Sequence, residues 1–251
     1  MCHDGCMDLP STEEKSAAAA YDTIADGYAA ENDSSLLNEY YNRPAIRALL
    51  GEVAGHHVLD AGCGSGPTFA DLLERGATVV GIDGSQAMLD LARGRLGPDA
   101  DLRVADLADP LPFEDAIFDD VVCSLSLHYL KDWQSPLAEM RRVLKPKGRL
   151  VLSVEHPFAT WLGKKEQGEK TNYFATRKRT ENWTMGDQEA QLEFWDRSLS
   201  SMFASFLASG FRITHVGEPA PSLEALEKFP DFFKDRIDPR FMAFLFIVLE
   251  A

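Results

Sequence analysis

The chain has 251 residues, with 40 acidic against 25 basic side chains and a formal net charge of −15. That length suits one well-buried α/β domain with additions, and 45% apolar residues with 15 Phe exclude a disordered chain. The acidity argues against a protein held on nucleic acid by its phosphates, and no apolar run has the length to span a bilayer.

The opening Met1-Cys2-His3-Asp4-Gly5-Cys6 lacks the basic-then-apolar order of a signal peptide, so a soluble, cytoplasmic protein is expected. Cys2, His3 and Cys6 fall short of the four ligands zinc normally takes, and no second cluster lies nearby to complete a site. Residues 1–15 are expected as a disordered terminus and 16–251 as a single domain. Four cysteines (Cys2, Cys6, Cys63, Cys123) make no disulfide framework in a chain this long.

Short apolar runs then alternate with amphipathic stretches, the pattern of a parallel α/β fold. Ser16 to Leu50 predicts two or three helices, and His57-Val58-Leu59-Asp60 a first buried strand. Pro67 to Arg75 follows as a helix, Ala77 to Asp83 as a strand, and Ser85 to Arg93 as a helix. Leu102 to Ala105 and Phe118 to Leu125 predict the third and fourth strands, with a helix from Pro136 to Leu144. Lys145-Pro146-Lys147-Gly148 is a turn, and Arg149 to Val154 a fifth strand. The alternation breaks over 156–195, an expected aromatic cap insertion that holds Trp161, Trp183 and Trp195. A helix from Arg197 to Ser209, a strand from Phe211 to Val216 and a buried terminal strand from Phe241 to Leu249 complete the order.

The most informative stretch is Asp60-Ala61-Gly62-Cys63-Gly64-Ser65-Gly66-Pro67. Three alternating glycines let the backbone turn where a Cβ would clash and let a ligand approach the main chain. The helix opening at Pro67 presents free N–H groups that favour an anionic or electron-rich group. A dinucleotide site would want a further glycine where Pro67 stands. Asp83 ends the second strand, where a carboxylate can accept from both hydroxyls of an adenosine ribose. Asp106 follows the third strand, placed to accept from an adenine amino group, with the Leu107 N–H beside it. Each Asp taken singly also suits a helix cap or a solvated loop. Successive strand tips carrying such groups match the rule that ligands bind at the carboxyl ends of an open α/β sheet.

These residues resemble the class I S-adenosylmethionine-dependent methyltransferases of the small-molecule group, over about Tyr21 to Val154 and more weakly beyond. The resemblance rests on Asp60 to Gly66, on Gly81-Ile82-Asp83-Gly84-Ser85, and on Asp106-Leu107 with Pro110-Leu111-Pro112-Phe113. Phe118 to His128 and Leu144 to Leu150 also match. It implies a Rossmann-like, seven-stranded, mostly parallel sheet with helices on both faces, its last strand antiparallel, under an N-terminal helical lid. It implies S-adenosylmethionine as cofactor, S-adenosylhomocysteine as product and no required metal. The cofactor residues it implies are Tyr21, Tyr28, Arg43, Asp60, Gly62, Gly64, Asp83, Gly84, Met88, Asp106, Leu107 and Ser124. Tyr21 and Tyr28, seven apart, can share a helix face, as cofactor cover or as half-buried packing. Arg43 is a candidate for the methionine carboxylate, against a plain surface arginine.

For the acceptor, His128 is the candidate general base, with Tyr129 beside it and His156 as second candidate; each also suits a structural role. Phe158, Trp161 and Trp195 are expected to wall a pocket for a flat aromatic or heteroaromatic metabolite, an indole type for example, or else to form a secondary core. Lys164, Lys165, Lys170, Arg177, Lys178 and Arg179 make the cap basic, either to attract an acidic small molecule or as a solvated face. A monomer or homodimer acting on a small molecule is expected, without nucleic acid or membrane. A protein that binds the sulfonium without transferring it, and a nicotinamide-dependent dehydrogenase, stay open as alternatives; Pro67 and the absence of a Tyr-x-x-x-Lys pair weigh against the second.

Overall fold

In a computed structural model the structure describes residues 17–251; the expectations for 1–15, Ser16 and the Cys2, His3, Cys6 group lie outside them. Strands β1 (His57–Ala61), β2 (Thr78–Asp83), β3 (Asp101–Val104), β4 (Phe118–Ser124), β5 (Leu144–Glu155), β8 (Arg212–Gly217) and β9 (Phe244–Glu250) form one sheet. Its order is β3-β2-β1-β4-β5-β9-β8, with β9 antiparallel to both β5 and β8 and the remaining pairs parallel. The central strands are buried on both faces, which is why they read as continuous apolar runs such as Val121-Val122-Cys123 and Leu150-Val151-Leu152.

Helices cover both faces. On one, α2 (Arg43–Leu50), α3 (Pro67–Glu74) and α4 (Gln86–Leu96) pack Ile46, Leu50, Phe69, Leu72 and Leu89 against Val58, Val79, Val122 and Phe246. On the other, α5 (Gln134–Val143) and α7 (Leu199–Ala208) pack Leu137, Met140, Met202 and Phe206 against Leu59, Val121, Leu150 and Ile247. Strand order reverses between β1 and β4, the place in such sheets where a crevice opens at the carboxyl ends.

Two local expectations are corrected, and the cap takes a definite form. The Lys145–Gly148 turn lies inside β5: Phe118 pairs with Leu144 and Asp120 with Arg149, so the intervening residues bulge out of one strand. The last strand starts at Phe244, because Phe241 packs its ring on Tyr41, 4.5 Å between centroids, before pairing begins. The cap is an ordered helix, α6 (Pro157–Glu166), and a hairpin of β6 (Arg177–Met185) and β7 (Gln188–Asp196) turning at Gly186-Asp187. Gly186 has φ +65°, the left-handed backbone that a two-residue hairpin turn demands.

That hairpin lies against the N-terminal helix α1 (Ala17–Asn32): Ala20 and Ile24 bury themselves with Leu192 and Phe194. Helix α1, the expected lid, and the hairpin therefore form one layered unit, and both contribute residues to the cavity at the carboxyl edge of the sheet. The short helices α8 (Leu223–Lys228) and α9 (Pro230–Phe233) lie between β8 and β9 in the chain. Among the described residues, no helix is long and apolar enough to cross a membrane.

Candidate functional site

The turn after β1 is built by main-chain geometry. Gly62, Gly64 and Gly66 have φ of +82°, +54° and +82°. The Gly62 and Cys63 N–H groups both donate to Ile82 O, at 2.8 and 3.0 Å, which folds the turn back on the tip of β2. A Cβ on Gly62 would overlap Ser126 Oγ and lie 2.8 Å from Ser126 Cβ, whereas one on Gly64 meets nothing within 4 Å. The first glycine is thus required by the protein's own packing, and the second faces open space.

Asp83 staples this turn. Its Oδ2 accepts from Gly64 N–H and its Oδ1 from Ser85 N–H, both at 2.9 Å. Burial raises its pKa, opposed by those same N–H donors. Ser85 caps α4 through Met88 N–H and donates its hydroxyl to Asp22 Oδ1 at 2.6 Å, which ties the lid helix to the tip of β2. Two further links hold the lid. Tyr21 and Tyr129 share a hydroxyl hydrogen bond of 2.6 Å, and Tyr28 stacks on Trp183 with centroids 6.0 Å apart.

These elements enclose a cavity of about 380 Å³ whose wall includes all twelve residues of the expected cofactor set. Asp60, Gly62, Gly64, Asp83 and Gly84 come from the tips of β1 and β2, and Met88 from α4. Asp106 and Leu107 follow β3, Ser124 ends β4, and Tyr21, Tyr28 and Arg43 come from the helices above. Arg43 is not a free surface arginine. Its side chain is largely buried, pairs with Glu39 at 2.8 Å and Asp33 at 3.7 Å, and bonds Asn32 O.

The wall contains buried polar atoms that the protein leaves unpartnered. Asp60 Oδ2, Asn42 Oδ1 and Ser65 Oγ have no hydrogen-bond partner among the described residues, and all three residues line the cavity. Asn42 donates to Ser124 Oγ at 2.8 Å, which aims its amide across the switch point. Leu125 takes φ +55°, costly for a branched side chain, held by its N–H donating to Ser153 O at 2.9 Å; it too lines the cavity.

Asp60 has a pH consequence. Burial first, and the Asp83 charge second, push its carboxyl up to about 7 from an ordinary 3.8. The folded protein therefore holds a proton that the unfolded chain has already released, so this contribution falls as pH rises through that window. In the ligand-free protein, wild type should lose stability between pH 5.5 and 7.5 relative to Asp60→Asn, on the order of 1 kcal/mol per pH unit. Thermal unfolding of both proteins across that range checks it; parallel curves would remove Asp60 as the titrating group.

The expected acceptor residues divide. Tyr129 and Trp195 line the cavity. His128 does not: it is 5% exposed, its Nδ1 accepts from Glu155 N–H at 3.4 Å, and its ring packs between Tyr129 and Phe194. Burial, with Arg179 nearby, pushes its pKa down to about 3, too weak a base for neutral pH. His156 is likewise structural. It is 3% exposed, its Nδ1 accepts from Ala159 N–H to cap α6, and its Nε2 bonds Glu218 at 2.8 Å. Phe158 and Trp161 sit outside this cavity, on α6, in a cluster with Tyr173. Trp183 and Phe194 belong to the small core under the hairpin.

The basic cap is mostly neutralised. Arg179 pairs with Glu155, Glu181 and Asp196, Lys164 and Arg177 pair with Asp196, and Lys178 pairs with Glu193 at 2.7 Å. Wall residues that the sequence did not single out include Asn42, Ser126, Lys131 and Glu193. Asp22, which anchors the lid, was also missed. Their only sequence signal is adjacency to residues that were recognised, as Lys131 follows Tyr129-Leu130.

Residues 59–152 match the methyltransferase-domain family. A demethylmenaquinone methyltransferase from Clavibacter sepedonicus is 37% identical over 138 residues, which are 54% of this chain and 56% of that one. The chain thus spans a little over half the length of that relative. An uncharacterised Haemophilus influenzae protein is 28% identical over 201 residues, 73% of this chain and 78% of its own. A crystal structure of an S-adenosylmethionine-dependent methyltransferase from Mesorhizobium loti superimposes with a TM-score of 0.64 at 26% identity, covering 88% of this chain and all of that one.

Proposed function

We propose that this chain is a class I S-adenosylmethionine-dependent methyltransferase, with S-adenosylmethionine as its cofactor, that methylates a flat, hydroxylated aromatic or quinone-derived small molecule. The residues present suit that cofactor. Asp60, whose Oδ2 has no partner among the described residues, becomes an anionic acceptor in the wall on releasing its proton, suited to the cationic methionine end, with Asn42 Oδ1 a neutral acceptor nearby. Asp83 offers carboxylate lone pairs beyond those its two N–H donors use, suited to sugar hydroxyls. The open side of Gly64 leaves room for a ligand against the main chain.

When bound, the cofactor supplies a methyl group on a sulfonium, an electrophile that an acceptor lone pair attacks in line. The chain's own residues align and enclose. The lid helix, tied down through Asp22, Tyr21 and Tyr28, keeps water from the reacting end. Burial holds the Tyr21 and Tyr129 phenols well above their ordinary pKa, so at neutral pH they donate hydrogen bonds and take no proton. With His128 buried and weakly basic, the acceptor is inferred to arrive with its lone pair already available.

The observation that carries the aromatic acceptor is the set of rings, Tyr21, Tyr28, Tyr129 and Trp195, that line the same cavity as the glycine turn. That the Clavibacter sepedonicus relative is a demethylmenaquinone methyltransferase supports a quinone-type acceptor. To test the reading, S-adenosylhomocysteine release is followed by mass spectrometry with naphthohydroquinones, hydroxyindoles and simple phenols as acceptors. Release that depends on a bicyclic acceptor is expected; release at the no-acceptor rate with all of them would contradict it.

A further inference from the structure

We propose that Lys131 and Trp195 form an anion-selecting subsite in this cavity, one that takes a flat aromatic ring carrying an anionic oxygen. The proposal rests on the methyltransferase reading above and narrows its acceptor. Lys131, on the loop after β4, and Trp195, on β7, both line the cavity, and the Lys131 ammonium lies 5.2 Å from the Trp195 ring centroid. A cation over an indole is held by the ring's negative face while its N–H groups remain free to donate.

The loop that carries Lys131 is fixed. The buried Arg197 guanidinium donates to Leu130 O at 2.6 Å and Lys131 O at 3.0 Å, and stacks over Trp133 at 4.1 Å. The other cations nearby are committed elsewhere: Arg43 to Glu39 and Asp33, Lys178 to Glu193, Arg179 to three carboxylates. Glu193 shares the wall with Lys131 but already has its Lys178 partner. Asp132, the next residue, accepts from Gln134 and Ser135 N–H groups instead. In a chain of net charge −15, a cation without a carboxylate partner among the described residues, beside an aromatic plate, marks where an anionic ring is admitted. The hydrogen-bonded phenols of Tyr21, Tyr28 and Tyr129 line the same cavity. The basic cap itself, neutralised by its own acids, does not supply this charge.

The anionic oxygen can belong to a carboxylate or to an ionised phenol, and the test separates them. Binding of 2-naphthoate, its uncharged amide, and a nitronaphthol ionised at neutral pH is measured by calorimetry on protein saturated with S-adenosylhomocysteine. At least one of the two anions should bind about tenfold or more tightly than the amide, the scale of a charge-assisted hydrogen bond. Whichever is preferred identifies the source. Lys131→Met should abolish the preference, Lys131→Arg should keep most of it, and S-adenosylhomocysteine affinity should be the same in all three proteins. An amide that binds as well as both anions, or a preference that survives Lys131→Met, overturns the proposal and leaves the cofactor reading standing. Failure of S-adenosylhomocysteine to bind wild type would overturn both.

Discussion

Gly62→Ala is expected to abolish measurable cofactor binding, a loss of a hundredfold or more, and to lower the melting temperature by several degrees. An alanine here must hold φ near +82°, which costs roughly 1–2 kcal/mol for an L-residue, and its Cβ must displace Ser126, whose Oγ and Cβ it overlaps. Ser126 cannot yield easily, because its hydroxyl donates to Ser124 O at 3.1 Å within the loop that itself lines the cavity. Gly55→Ala separates strain from site damage. Gly55 has φ +77° with nothing within 4 Å of its absent Cβ, and it is not part of the wall. That variant should lose stability and still bind cofactor. Calorimetry with S-adenosylhomocysteine on both checks the pair; Gly62→Ala binding as tightly as Gly55→Ala would show that the turn does not shape the site.

Asp83→Asn should weaken cofactor binding by about 10- to 100-fold, as expected when a charged acceptor loses its anionic character. The effect has two parts. One of the two N–H donors, Gly64 or Ser85, must face an amide NH₂ in place of a carboxylate oxygen, so the turn loosens. A neutral side chain is also a poorer partner for sugar hydroxyls. The same variant carries an internal control: the Asp83 charge helps hold the Asp60 pKa up, so its removal should move the Asp60 titration to lower pH. Unchanged affinity with a shifted Asp60 titration would place Asp83 in the electrostatics of the wall but not in ligand recognition.

How far the sequence could be read followed from how local each feature is. The central strands were legible because a parallel strand buried on both faces must be apolar throughout, as in Val121-Val122-Cys123. That the expected cofactor residues come together in one cavity was legible because the carboxylates and glycines among them stand at strand tips, where position along the chain already implies position in space. The acceptor half was not. His128 follows β4 and has the residue type of a base, but it is buried beneath Phe194 and Arg179 of the hairpin, packed there by long-range contacts. The hairpin was unreadable as strands because its exposed face is charged and only Arg179, Leu192 and Phe194 are buried. Phe158 and Trp161 share the aromatic character of Trp195, yet a helix turns them into a cluster of their own. Residue type nominated them; only the packing of α6 and β7 separates wall from scaffold.

The central claim is that the cavity over residues 60–66 accepts an adenosine joined to a charged or thioether amino acid and not a dinucleotide. Calorimetric titration of the wild-type protein with S-adenosylmethionine, and separately with NADH, tests it most directly. Saturable one-to-one binding of the first and none of the second is the predicted result; preferential binding of NADH would contradict the account.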